Sequence, residues 1–155
     1  MSAAESDRSV TESRTDSANY AKGVQLVTEM LGPQFAAGIQ AAAGSGAFAA
    51  DVAAIALECA FGAVWSRPGL DRKLRSLVTL GILIGTGKPT ELKNHVRAGI
   101  NNGLSVTEIQ EVLIQAIPYC GFPAVAEAIE ATVAVLRERG LVDEQVKTAK
   151  DRGML

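Results

Sequence analysis

One histidine, His95, stands in a chain of 155 residues. Histidine is the one side chain that titrates near neutral pH without help from its surroundings. It lies in ELKNHVRAGINNG, residues 91–103, where Leu92, Val96 and Ile100 recur at spacing four and mark one buried helical stripe. His95 falls three residues after Leu92, at the edge of that stripe. Two readings stay open on this pattern: a half-buried histidine satisfied by one hydrogen bond, or an acid–base group lining a pocket.

A second candidate cluster is the run WSRPGLDRKLR, residues 65–75. Arg67, Arg72, Lys73 and Arg75 place four cations, with only Asp71 to offset them, around a Pro-Gly turn. The run reads equally as a solvated face or as an anion site. Arginine offers a planar fork suited to carboxylates, and Trp65 beside the turn can supply an apolar wall. The third candidate is PYCGFP, residues 118–123, an elbow that either shapes a pocket with Tyr119 or merely kinks a helix for packing. Cys59 and Cys120 are the two cysteines; with no C-x-x-C pair and no metal-type Cys/His cluster, they read as two buried small hydrophobes in a reducing compartment.

Taken together and in this order, GAVWSRPGLDRKLRSL, ELKNHVRAGINNG and YCGFP resemble the carboxymuconolactone decarboxylase family, small helical proteins related to alkylhydroperoxidase D. The resemblance covers residues 20–140. The peroxidase branch carries C-x-x-C-x-x-x-H; here Lys88 and Glu91 occupy the cysteine positions. The thiols needed for peroxide reduction are absent, and the pattern from Glu91 to Gly103 is that of the decarboxylase branch. That resemblance implies a cofactor-free, metal-free lyase acting on a small acidic lactone such as 4-carboxymuconolactone. It implies His95 as general acid and Arg67, Arg72, Trp65 and Tyr119 around the substrate. One departure stands out: the family usually reads G-E-V-W, whereas this chain reads Gly62-Ala63-Val64-Trp65. Glu58, five residues earlier, lies about 140° away around an α-helix and does not replace the missing acid there. Two other readings follow from the departure. One is a same-fold enzyme for a bulkier aromatic or polyketide keto acid. The other is a non-catalytic oligomer that binds acidic metabolites. A thiol peroxidase is a distant further reading.

The elements that must position these residues are all helical. Residues 1–18 are polar and read as a disordered tail. Helices follow over 20–31, ended by Gly32-Pro33; over 34–43, ended by Gly44-Ser45-Gly46; and over 48–65. Asp71 can cap the next helix, whose stretch Leu77 to Ile84 is apolar nearly all round, as suits a bundle centre or an interface. Pro89 opens the histidine helix and Gly103 ends it. Ser105-Val106-Thr107-Glu108 reads as a capping box, with Leu104 and Ile109 as its staple. Pro118 and Gly121 should break or kink that helix, and Pro123 should open a last one reaching Arg139. Residues 141–155 are charged and expected to fray. The expectation is an all-α, single-domain bundle of about six helices over residues 19–140, alkylhydroperoxidase D-like, assembling as a trimer or hexamer.

Bulk composition narrows the partners. A net charge of −2 and a sequence pI of about 5.4 create no field that draws the chain to nucleic acid or an anionic membrane. The apolar runs are interrupted by Asp51 and Glu58 or end at Gly85, so no membrane span is expected. The polar N-terminus has no signal-peptide pattern, and a cytoplasmic location is expected. With 48% hydrophobic and 21% charged residues, the chain is rich enough in apolar surface to serve a subunit interface.

Overall fold

The computed structural model describes residues 14–154; of the tail expected over residues 1–18, residues 1–13 lie outside them. The described chain is all-α with no strand, as the sequence leads one to expect. Its residue contacts gather into two compact units divided after Leu70.

The first unit contains α1 (Ala18–Leu31), α2 (Pro33–Ala43) and α3 (Ala50–Ile55), which continues without a break as a π-helix over Ala56–Trp65. Ser17 starts α1 by accepting a hydrogen bond from the Tyr20 N–H. Arg14 pairs with Glu58 at 3.0 Å, so the stretch just before α1, expected to be loose, is tied to the π-helix. Gly32, at φ 94°, turns the chain, and Pro33 opens α2. Helix α3 starts two residues later than expected, because Ala49 adopts the left-handed region at φ 67°.

Two glycines set how closely α1 approaches the π-helix. A Cβ on Gly23 would lie 1.9 Å from the Leu57 carbonyl oxygen, and one on Gly62 would lie 1.9 Å from that of Asn19. The obstruction in both cases is backbone, which cannot rotate away. Val27, Ala54 and Leu57 are fully buried around this crossing.

The π-helix changes one inference from sequence. Its hydrogen bonds run from residue i to i+5, as in the Ser66 N–H donating to the Phe61 carbonyl at 3.2 Å. Residues five apart therefore stack on one face, and Glu58 and Ala63 share a face instead of standing about 140° apart as on an α-helix.

The second unit contains α4 (Arg72–Gly85), α5 (Pro89–Asn101), α6 (Val106–Glu138) and a 3₁₀ turn at Lys150–Arg152. Asp71 caps α4 through the Leu74 N–H at 2.8 Å. The Ser105–Glu108 capping box forms in full. Leu104 and Ile109 are both buried beside it. The core is Leu80 and Ile84 from α4, Leu92 and Val96 from α5, and Ile109, Ala116, Val125, Ala128 and Val135 from α6. Helix α6 is two helical runs joined at a kink, as expected: Gly121, at φ 80° and ψ 161°, leaves helical geometry between Pro118 and Pro123. That conformation is open essentially to glycine alone. By length and composition α6 could cross a membrane, unlike any run singled out from sequence. Gly121 interrupts it midway, however, and one face packs into the chain's own core.

The charged segment after α6 does not fray. Thr148 is buried, and its hydroxyl donates to Glu130 at 2.7 Å. Asp151 pairs with Arg137 at 2.6 Å, and Val142 packs on the core. The cysteines form no disulfide, but Cys59 is exposed and Cys120 only half-buried, against the expectation that both are core residues.

The glycine crossing yields a paired test. Gly62→Ala should lose about 3 kcal/mol or more in urea unfolding, since a forced overpacking costs roughly that much even where side chains can adjust. Gly38→Ala, on the exposed helix α2 with nothing within 4 Å of its Cβ position, should gain up to about 1 kcal/mol.

Candidate active site

Helix α5 carries His95, and four contacts decide where it sits. Leu92 and Val96 anchor its buried face, as the spacing leads one to expect, while Ile100 is only half-buried. At the C-terminal end, the Asn102 amide donates to the Ser76 hydroxyl at 3.0 Å. Ser76 is itself buried in α4 and donates to the Arg72 carbonyl at 3.0 Å. Near the middle, Arg97 grips Glu138 of α6 with two hydrogen bonds, at 3.1 and 2.6 Å. Gly99 lets α5 come close to Leu104, whose side chain would lie 2.8 Å from an added Cβ. The histidine helix is thus held on one side by α4 and on the other by α6.

His95 is half-buried, at the edge of the apolar stripe. Burial pushes its pKa below the usual 6.5, and the carboxylate of Glu91, one turn earlier, offsets part of that fall. The imidazole is therefore mostly neutral at neutral pH in the free protein.

The other candidates are distributed between the units. Trp65 ends the π-helix and stacks on Phe61, ring centroids 6.5 Å apart; Arg67 follows in the exposed turn. Both belong to the first unit, whereas Arg72, His95 and Tyr119 belong to the second. Arg72 is exposed at the first position of α4, and its carbonyl is the one that Ser76 binds. Tyr119 is exposed and lines a groove of about 660 Å³ between α4 and α6. The groove's walls are Leu77, Val78, Gly81, Val112 and Ala116, with Glu108 and Glu111 among its polar groups, and His95 is not part of it. The structure therefore does not gather His95 and Tyr119 around one cavity. Among the described residues no group of three His, Cys, Asp or Glu side chains is placed to hold a metal ion.

Ser76, Asn102, Arg97 and Glu138 were not singled out from sequence. The two asparagines before Gly103 carry the faint signal, but they read as a helix end. Partners 26 and 41 residues away leave no local trace.

Residues 50–134 match the Carboxymuconolactone decarboxylase family. The chain is 34% identical over 131 residues to the 4-carboxymuconolactone decarboxylase of Acinetobacter baylyi, covering 84% of this chain and 96% of that protein. It is 48% identical over 81 residues to the nitrosuccinic acid decarboxylase of Metarhizium robertsii, covering 52% of this chain and 57% of that protein. An uncharacterized 15.0 kDa protein of Paracoccus denitrificans is 36% identical over 84 residues, which is 53% of this chain and 63% of that protein. The chain thus spans nearly all of the Acinetobacter protein but less than two thirds of the other two.

With a single histidine, one NMR resonance pair reports its titration. The midpoint in the free protein should fall below 6.5, the value from which burial lowers it. Because the folded state then binds fewer protons than the unfolded one, this group's contribution to stability is complete above pH 6.5 and is lost as the pH falls through the folded-state pKa. Urea midpoints measured downward from pH 7 should drop less steeply in His95→Gln than in the wild type. A midpoint at or above 6.5 would mean that His95 is not desolvated.

Proposed function

The chain belongs to the carboxymuconolactone decarboxylase family, and from that premise we propose that it is a decarboxylase for a small dicarboxylate whose departing carboxylate sits on a carbon joined to an electron sink. The names of the Acinetobacter and Metarhizium relatives support the reaction class. The observation that carries the residue assignment is His95 itself, the sole histidine, half-buried on a helix braced from two sides. The substrate proposed first is 4-carboxymuconolactone, since the relative of that name is matched over almost its whole length.

The step is simple to balance. The bond between ring carbon and carboxylate breaks, CO₂ leaves, and the electron pair moves through the conjugated system onto the lactone carbonyl oxygen. A proton from the His95 imidazolium then reaches carbon, the pair returns to form the new C–H bond, and solvent reprotonates the imidazole. One proton is consumed per CO₂ released. The sink lies in the substrate, so the reading needs no cofactor. Arg72, and Arg67 across the Pro68-Gly69 turn in sequence, are assigned to the acetate carboxylate or the lactone oxygen. Gripping the departing carboxylate would stabilise the ground state more than the transition state. Trp65 is assigned as an apolar neighbour of the substrate, whereas Tyr119, on a groove that His95 does not line, is not.

A nitro-substituted dicarboxylate is the second reading, favoured by the higher identity to the Metarhizium protein. There the pair left by CO₂ would enter the nitro group, and the same acid would protonate the same kind of carbon. The exposed Ala63, where the family usually has glutamate, keeps a bulkier keto acid as a further alternative.

His95→Gln is expected to lower kcat by about 10²–10⁴, the range for a placed acid, with helical content and substrate binding kept. CO₂ release from 4-carboxymuconolactone and from nitrosuccinate, measured side by side, separates the two substrate readings. Near-normal turnover by the variant would remove His95 from the mechanism, whereas substrate binding without CO₂ release by the wild type would favour the non-catalytic binder. Arg72→Ala should raise KM about tenfold or more, as loss of a charge-assisted pair does; an unchanged KM would return Arg72 to the solvated surface. The wild-type rate should fall as pH rises, because the acid form is required. The limb in kcat should lie at higher pH than the limb in kcat/KM, since an anionic substrate raises the pKa that burial lowers in the free protein.

A further inference from the structure

Three residues of α5 share one side of that helix. His95, Gly99 and Asn102 stand at the spacing of four and then three at which helical side chains line up. Two of them meet α4 at a single residue. A Cβ on Gly99 would lie 3.7 Å from the Ser76 Cβ, and the Asn102 amide donates to the Ser76 hydroxyl at 3.0 Å. Ser76 is 1% exposed, and its hydroxyl donates one turn back, to the Arg72 carbonyl at 3.0 Å. The histidine helix is thereby hydrogen-bonded, through one buried serine, to the backbone of the arginine that opens α4.

The place of this bond along the two helices gives it a further consequence. Thr86, Gly87 and Lys88 return the chain from α4 to α5, so the helices run in opposite directions. At about 1.5 Å per residue, Ser76 lies about 6 Å along α4 from Arg72, and Asn102 about 10 Å along α5 from His95. The bond therefore stands between the two groups, with His95 to one side of it and Arg72 to the other. Sliding of α5 along α4 would change their separation directly. The apolar contacts of Leu92 and Val96 resist such sliding weakly, because hydrophobic burial has no direction. Arg97 grips Glu138, which ties α5 to α6 and not to α4.

We propose that Asn102 and Ser76 are positioning residues for the decarboxylation: their bond sets the interval between the acid on α5 and the anion-binding arginine on α4. The proposal rests on the roles assigned above to His95 and Arg72. Neither Asn102 nor Ser76 touches the substrate in this scheme. Each acts by holding one helix in register against the other, so that an anion gripped at Arg72 presents its reacting carbon where His95 can protonate it.

The test is CO₂ release by the full chain from 4-carboxymuconolactone or nitrosuccinate, whichever turns over faster, with circular dichroism and melting curves to confirm that each variant is folded. Asn102→Ala should lower kcat about ten- to hundredfold, the scale of a displacement near 1 Å, and change KM less than about threefold. Ser76→Ala, which removes only the hydroxyl, should do the same, and it stands in if Asn102→Ala does not fold. The two changes together should cost no more than either alone, since the same bond is lost. Added to His95→Gln, Asn102→Ala should cost nothing further, because the acid it positions is gone; a mere loss of folded protein would multiply instead. Full kcat in folded Asn102→Ala or Ser76→Ala, beside a slow His95→Gln enzyme, would overturn this proposal alone. So would a loss confined to KM, or losses that multiply in either double variant. A wild type that releases no CO₂ from either compound, or a His95→Gln enzyme of normal rate, would overturn the reading beneath the proposal and the proposal with it.

Discussion

The placement of α5 depends on what holds its ends. Its apolar anchor is short, chiefly Leu92 and Val96, and a stripe of that size permits sliding along its neighbours. Two polar contacts remove that freedom, and their magnitudes can be compared. The Arg97–Glu138 pair is well formed, but Glu138 is half-exposed, and exposed ion pairs are worth about 0–1 kcal/mol. The Asn102–Ser76 bond is neutral and worth about 0.5–1.5 kcal/mol by itself. Its loss would leave the Ser76 hydroxyl still donating to the Arg72 carbonyl, so the cost stays within that range. The two pins on the histidine helix are therefore of similar size, and the one at buried Ser76 is less weakened by salt.

Where a feature is encoded by neighbours in sequence, it was legible. Asp71, the Ser105–Glu108 box, and the Pro89 and Gly103 boundaries of the histidine helix all act within a turn of themselves, and all stand where the sequence places them. The edge position of His95 follows from a period that needs no tertiary information. The features that were not legible share a different physics. Gly23 and Gly62 read as weak helix residues until the backbone of another helix is brought against them. The charged segment after α6 reads as a frayed end because Glu130 and Arg137, which fix Thr148 and Asp151, lie 18 and 14 residues away from them in sequence. The bend inside α6, by contrast, was legible: Pro118, Gly121 and Pro123 mark it, and the chain leaves helical geometry at Gly121, where the absence of a Cβ allows it.

The π-helix shows how a local geometry can alter a functional reading. Counting on a 3.6-residue period, Glu58 and Ala63 are unrelated; with i to i+5 hydrogen bonds they stack. The carboxylate that the family resemblance leads one to expect at position 63 is therefore not absent from that face but displaced along it by one turn. Glu58 is also committed, since Arg14 holds it at 3.0 Å. The pair is partly exposed, so it stabilises the fold little. It does fix the direction of the one acid on that face and ties the chain before α1 to the same surface.

The state of His95 links the electrostatics to the proposed chemistry. A general acid must carry its proton when the reaction needs it, and burial opposes the charged imidazolium in the free protein. Glu91 corrects this only in part, because it is exposed and its field is screened by water. A dianionic substrate arriving beside the ring would supply the missing negative charge at short range and displace water at the same time, which strengthens the interaction. On this account binding and proton uptake are one event: the imidazole becomes an acid when the anion is present and returns to neutral when CO₂ has left. Each carbanion equivalent then meets a proton donor already in place, and the free protein does not bear the cost of a charged group held half out of water.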